Sequence, residues 1–215
     1  VRTIDENCSS RSDTHPIDWS QDGKTIIYNK MVDNGVAIFS YEFASGKSTQ
    51  ISFPKQNQQD ISTIFVENDN RIAVIRNLVV GSEIVLIDRH SPSYSETTLV
   101  KYQDRALSMA WHASNQKLLV TKPSGGIFVI VALDLDGTKE SLIDESPIPG
   151  SIALNQQTNE LIVSRHYSNE HVEEVDIERG KVLRRVTSSS RDMYGNYISK
   201  DGSILFASNR SGNWE

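Results

Sequence analysis

One cysteine in 215 residues, Cys8, excludes an internal disulfide framework. It leaves the redox compartment open, because a fold closed by strand pairing needs no staple. Basic residues are the minority, 22 Lys and Arg against 28 Asp and Glu, for a formal charge of −6 and a pI near 5.4. Direct nucleic-acid binding is therefore not expected, since it depends on clustered cations that release counterions from phosphate. No apolar run approaches the roughly 18 residues of a membrane span. The longest, Ile127 to Leu133, fits a buried strand. No basic-then-apolar leader precedes the first structural signal, and the sequence starts at Val1, so a secretory signal is absent or removed; removal is the expectation. Catalytic strings are missing as well. There is no Gly-x-Ser-x-Gly elbow, His-Glu-x-x-His, Cys-x-x-Cys, phosphate-cradling glycine loop or dinucleotide fingerprint. No cofactor, metal or catalytic residue is expected.

What the sequence does contain is a repeat. Trp19-Ser20-Gln21-Asp22-Gly23 returns as Ile198-Ser199-Lys200-Asp201-Gly202, with degraded copies between, and the first apolar residue of each copy is Trp19, Phe65, Trp111, Leu154 and Ile198. The steps are 46, 46, 43 and 44 residues. Three turn signals recur in order within each unit. The first is Asp22-Gly23, Asp69-Asn70, Asn115-Gln116, Thr158-Asn159 and Asp201-Gly202, read as two-residue hairpin turns. The second is Asn34-Gly35, Gly81, Gly125-Gly126, Ser168-Asn169 and Ser211-Gly212; the third is Ser45-Gly46, Asp136-Gly137 and Arg179-Gly180. In the second unit His90-Ser91-Pro92-Ser93 replaces the third turn and predicts a longer outer loop. Three turns separate four short runs rich in Val, Ile, Phe and Tyr, several of them continuously apolar, as strands buried on both faces are.

A period in the forties with four strands per unit predicts an all-β fold, a β-propeller of four-stranded antiparallel blades, with helix close to absent. About four and a half blades are visible in a single domain over residues 1–215. Val1 to Glu6 reads as the outer strand of a preceding blade, and Ser208 to Glu215 stops partway through a fifth. A six- or seven-bladed ring needs roughly 260 to 310 residues, so the ring is expected to be completed by further sequence or by a partner.

Residues Ile198 to Glu215, ISKDGSILFASNRSGNWE, resemble the TolB-like, WD-like propeller repeat, W-S-P-D-G-x-x-I-A-F-x-S-x-R-x-G. Ser199, Asp201, Gly202, Ile204, Phe206, Ser208, Arg210 and Gly212 match, whereas Gln21 and Lys200 replace the usual proline. Asp13, Pro16 and Trp19 carry, in expanded form, the Asp-x-x-Pro-x-Trp element that precedes the repeat, and Asp134 to Thr138 resemble its outer hairpin. The resemblance implies a non-enzymatic scaffold for contacts. Three settings follow from it: the extracytoplasmic sensory part of a membrane-anchored transcriptional regulator like CadC and ToxR, the gating propeller of a prolyl-oligopeptidase-like serine peptidase, and periplasmic TolB itself. The first is the expectation, with DNA binding in a separate cytoplasmic domain, a periplasmic location and possible tethering to the inner membrane.

Binding residues are expected on the loops leading into each innermost strand, because such loops ring one mouth of the channel on a rigid scaffold. They hold Asp13, His15, Asp60, Asp104, Arg105, Arg191, Asp192 and Tyr194, a mixed-charge set suited to a peptide or protein. The rival reading, that these groups serve loop backbone and solvent, carries equal weight. Gly46-Lys47-Ser48 lacks the second glycine of a serine elbow. Asp134-Leu135-Asp136-Gly137 has its glycine too early for a calcium loop and reads as a hairpin turn. His15, His90, His112, His166 and His171 are scattered, with no spacing for a zinc site on one element. Trp19 and Trp111 share one repeat position and are read as core between blades rather than as a stacking platform.

Overall fold

The computed structural model describes residues 3–5, 8, 16–33, 35–124, 127–138, 140–146, 149–165, 171–187, 192–198 and 203–208. The chain divides into two compact units, residues 1–123 with 128–165, and residues 124–127 with 166–215. Among the described residues none is helical.

The first repeat forms β1 (Ile17–Trp19), β2 (Thr25–Val32), β3 (Gly35–Glu42) and β4 (Lys47–Gln50). The second forms β5 (Gln59–Val66), β6 (Arg71–Asn77), β7 (Ser82–Asp88) and β8 (Glu96–Tyr102). The third forms β9 (Ser108–His112), β10 (Lys117–Ser124), β11 (Ile127–Asp134) and β12 (Glu140–Ser146). In each repeat consecutive strands pair in chain order. One parallel bridge, Val36 with Gln59, joins the first two sheets. The fourth repeat opens with the hairpin β13 (Pro149–Asn155) and β14 (Glu160–Arg165). The second unit holds the hairpins β15 (Glu173–Asp176) with β16 (Lys181–Arg185), and β17 (Asp192–Ile198) with β18 (Ile204–Ser208).

Register makes the repeats equivalent. Trp19 pairs with Ile26, Phe65 with Ile72, Trp111 with Leu118 and Leu154 with Leu161, each partner seven residues on. The fifth pair, Ile198 with Ile204, is one residue shorter. The first turns are not the two-residue loops expected from their composition. Residues 67–70, 113–116 and 156–159 separate the paired strands, and left-handed angles fall on Glu67, Asn68 and Asp69 in the first of these loops, on Gln116 in the second and on Asn159 in the third. A longer loop built on a tight turn needs at least one such residue near the returning strand, and Asn or Asp accepts it at small cost. The outer loop of the second repeat is longer, residues 89–95 against 43–46 in the first.

Sheets pack face to face through branched aliphatics. Ile27, Ile38 and Ile51 of the first repeat meet Phe65, Ile72, Val74, Val85 and Ile87 of the second. Ala110, Leu119, Ile130 and Ala132 of the third meet Ile152, with Leu154, Leu161 and Val163 of β13 and β14 beside them. Because successive strand residues point to opposite faces, Ile26, Tyr28 and Tyr41 form the other side of the first sheet, where Ile4 packs on them. Residues 3–5, expected within an outer strand, are in none. They are held instead by Asp5, whose carboxylate accepts from the Tyr28 hydroxyl at 2.9 Å and Lys30 Nζ at 2.7 Å. Burial, with Asp5 adding and Ser48 opposing, pushes the Tyr28 hydroxyl up to about 12.

Trp19 departs from expectation. It takes the position of buried Phe65 yet is 55% exposed, its ring stacked on Phe43 at 5.2 Å and 7°.

Candidate functional site

The inner strands β1, β5, β9 and β13 end side by side, and their first-turn ends enclose a cleft of about 450 Å³. Each of the first four repeats contributes its recurrent position: Trp19, Phe65, Trp111 and Leu154 all line it, with Ile17, Ile64 and Ile152 deeper along the strands. The walls come from the period itself, since one residue per repeat lands at the same height on neighbouring inner strands. Gln21, Asn68, Asp69 and Gln156, from the turns, and Asp18 of β1 bring polar side chains to the lining. These turns are cross-linked between repeats. The Gln21 N–H donates to Asp69 Oδ2 at 2.7 Å, and the Phe65 N–H donates to Asp18 Oδ2 at 2.8 Å. Ala113 N–H donates to Gln156 Oε1 at 3.2 Å, and the Gln156 amide donates back to the Trp111 carbonyl.

A second recess, about 510 Å³, shares Gln21, Asn68 and Asp69 with the cleft and adds Asp22, Asn70, Arg89 and His90. Asn68 and Asp69 of its lining follow Glu67 in a run of three successive left-handed residues, at φ 52° for Glu67, 54° for Asn68 and 68° for Asp69. Arg89 buttresses the turn, donating to the Asp69 carbonyl at 3.3 Å and Thr25 Oγ1 at 3.1 Å while lying 5.1 Å from the Phe65 ring centre.

The residues expected from sequence are distributed differently. Asp13, His15 and Arg191 lie outside the described residues. Asp60, expected at a loop surface, is instead a fully buried member of β5. Arg76 grips it with two hydrogen bonds of 2.7 and 3.1 Å and also holds Glu96 at 2.6 and 3.0 Å. A carboxylate enclosed this way serves the packing of the second repeat and offers no surface to a partner. Burial raises the Asp60 carboxyl, opposed by Arg76; Glu96, despite burial acting the other way, is held below the usual carboxylate range by Arg76 and the Phe53 N–H. Asp104 and Arg105 are exposed together between β8 and β9, where Ser82 Oγ donates to the Asp104 carbonyl and accepts from the Ala106 N–H. Asp192 and Tyr194 stand in β17 of the second unit, Asp192 paired with Ser208.

The hairpin reading of Asp134 to Gly137 fits the structure. Gly137 has φ +74°, and Asp136 Oδ1 accepts from the Thr138 N–H and hydroxyl at 2.9 and 2.7 Å. Ser48 is paired with the Tyr28 hydroxyl at 2.7 Å, as a strand serine rather than a nucleophile beside a base. His90 meets Asn70 at 3.2 Å, and His171 meets Glu173 at 2.7 Å. Among the described residues no group of three His, Cys, Asp or Glu could hold a metal, and no helix is long and apolar enough to cross a membrane.

No protein-family profile and no curated protein matches the sequence. Solved structures do. TolB from Acinetobacter baumannii superposes with a TM-score of 0.59 at 11% identity, over 72% of this chain and 38% of that one. The fold is a β-propeller. An oligogalacturonate lyase from Vibrio parahaemolyticus gives 0.57 at 11% identity over 96% and 61%, and a chain of a nidogen/laminin complex gives 0.57 at 11% over 68% and 54%. The propeller sequence thus spans less than two thirds of each of these. In propeller terms the cleft lies along the inner strands at the end opposite the loops expected to bind. The signal that could have located it was present: Trp19, Phe65, Trp111 and Leu154 recur at one repeat position, which places them at one height on the inner strands as well as between sheets.

Proposed function

We propose that this propeller is a non-catalytic docking domain that receives a protein or peptide segment, working outside the cytoplasm as the sensory part of a membrane-anchored regulator. The observation that carries the docking role is the cleft. Four equivalent positions converge on an apolar, aromatic-walled concavity on a rigid scaffold, which is the form of a recognition site rather than a reaction centre. Its lining contains no serine, cysteine, histidine or lysine, and its two carboxylates, Asp18 and Asp69, accept backbone N–H groups of Trp19, Phe65 and Gln21. The likeness to a propeller solved in a nidogen/laminin complex supports protein binding as a use of this fold. Likeness to TolB supports a periplasmic setting and a second reading, a TolB-type translocation protein. Expected outcomes separate these from enzymatic alternatives. The purified chain shows no peptidase, esterase or oligogalacturonate-cleaving turnover, and it binds blocked peptides bearing phenylalanine by calorimetry. Trp19→Ala weakens that binding at least fivefold. Turnover of any of the three substrates, or binding indifferent to Trp19→Ala, would overturn the docking assignment.

A further inference from the structure

We infer that Gln21 reads the main chain of the docked segment, its carboxamide donating to the carbonyl of a residue i that packs on Trp19 and accepting the N–H of residue i+2. This rests on the docking reading above and supplies the partner's conformation, an extended strand with an apolar side chain at i. The chain already contains such a grip. Gln156, two residues past Leu154, accepts the Ala113 N–H on Oε1 at 3.2 Å and donates its amide to the Trp111 carbonyl. One side chain thus holds two main-chain groups, two residues apart, at the end of the neighbouring inner strand β9.

Gln21 occupies the same place in the first repeat, two residues past Trp19, and the register is the same, Trp19 pairing with Ile26 as Leu154 pairs with Leu161. The turns also link alike: Asp69 of the second repeat accepts the Gln21 N–H as Gln156 of the fourth accepts the Ala113 N–H. The two carboxamides differ. That of Gln156 is spent within the chain, whereas that of Gln21 has no hydrogen-bond partner among the described residues; Gln21 is exposed on the cleft lining, and Trp19 beside it in sequence is 55% exposed. A carboxamide offers donor and acceptor in one plane, which suits a C=O and an N–H on the same edge of an extended strand, where residues i and i+2 present their main-chain groups alike. Main-chain pairing of this kind gives affinity, while the side-chain pocket gives choice.

The test titrates Ac-Gly-Phe-Ala-Val-Ala-Gly-amide calorimetrically into the chain, together with two esters of it. One replaces the valine N–H by oxygen, removing the i+2 donor when phenylalanine is i; the other does so at the following alanine, whose N–H points to the opposite edge. The parent chain binds the valine ester about fivefold weaker than the amide, the size of one net hydrogen bond, and the alanine ester as well as the amide. Gln21→Met weakens the amide peptide by about fivefold or more and no longer distinguishes it from the valine ester, as a double-mutant cycle requires of two groups that pair. Gln21→Met also keeps the parent's urea midpoint, whereas Gln156→Met lowers it. Equal binding of the amide and the valine ester by the parent chain overturns the assignment whether or not the variant folds. An ester penalty undiminished in Gln21→Met, or a lowered urea midpoint for that variant, overturns it as well. So does self-association of the parent that Gln21→Met abolishes and the peptide fails to displace, which would give the carboxamide to a second copy. Failure of all three peptides to bind refutes the docking reading itself, and this assignment with it.

Discussion

Removing the Arg76 guanidinium tests the packing of the second repeat. Arg76 and Asp60 have side chains only 6% and 0% exposed, and Glu96 is 24% exposed, so Arg76→Met strands one carboxylate in the interior and another at its edge. Breaking a buried pair from one side costs about 3–5 kcal/mol, because the remaining charge keeps its desolvation penalty without its partner. Replacing both members by apolar groups removes that penalty. Arg76→Met alone should therefore lower stability by about 3–5 kcal/mol in urea unfolding at pH 7, and Arg76→Met with Asp60→Leu should recover more than half of the loss. The single variant should also recover at lower pH. Burial already raises Asp60, and without Arg76 nothing of comparable strength opposes it. A folded-state carboxyl raised above its unfolded value gives stability that is present below the unfolded value, near 3.9, and lost as pH rises through the folded one. The deficit of the variant relative to the parent should thus shrink toward pH 4. A single-variant cost below about 1 kcal/mol, or a deficit that grows on acidification, would refute the claim that the site holds an enclosed ion pair.

Glu96 has the opposite sign. Arg76 and the Phe53 N–H hold it low, so its contribution is present above the unfolded value and is lost as pH falls through the folded one; Glu96→Gln should flatten the acid limb of a stability-against-pH curve. At Gly81, φ is +77° and an added Cβ would lie 2.1 Å from the Tyr102 carbonyl oxygen and 2.7 Å from that of Gln103. Both obstacles are backbone, so Gly81→Ala should cost about 2 kcal/mol or more, read as a lower urea midpoint. Equivalent positions should differ: Phe65→Ala, in a buried cluster, costs about 3–5 kcal/mol, whereas Trp19→Ala forfeits little beyond an aromatic stack worth about 0.5–1.5 kcal/mol. Equal losses at the two sites would contradict the difference in exposure between Phe65 and Trp19. Arg105→Glu, at an exposed position, should leave the thermal midpoint unchanged, and a drop of several degrees would place Arg105 in the packing instead.

The architecture was legible because a period survives substitution better than any single residue. The strands over residues 26–29, 72–76 and 118–122, expected from apolar runs between turns, lie inside β2, β6 and β10. Turn composition located the loops without revealing their length, since an Asn or Asp at positive φ serves a four-residue loop as well as a two-residue one. Side-chain environment was harder. Asp60 is next to Asp104 and Arg105 in any list of polar residues near an inner strand, and nothing local distinguishes them. Its burial depends on Arg76 in β6 and Glu96 in β8, partners chosen by the sheet and not by sequence neighbours. Trp19 posed the converse problem. The repeat correctly equated it with Phe65, but equivalence of position is equivalence of backbone; what covers a side chain depends on the sheet beside it. For Phe65 that cover is the first repeat's Ile27, Ile38 and Ile51, while Trp19 meets the stacked ring of Phe43. A periodic sequence therefore predicts where apolar side chains converge more securely than which of them is buried. The cleft follows from that first inference, since its four recurrent wall residues share a height on adjacent inner strands whatever their individual exposure.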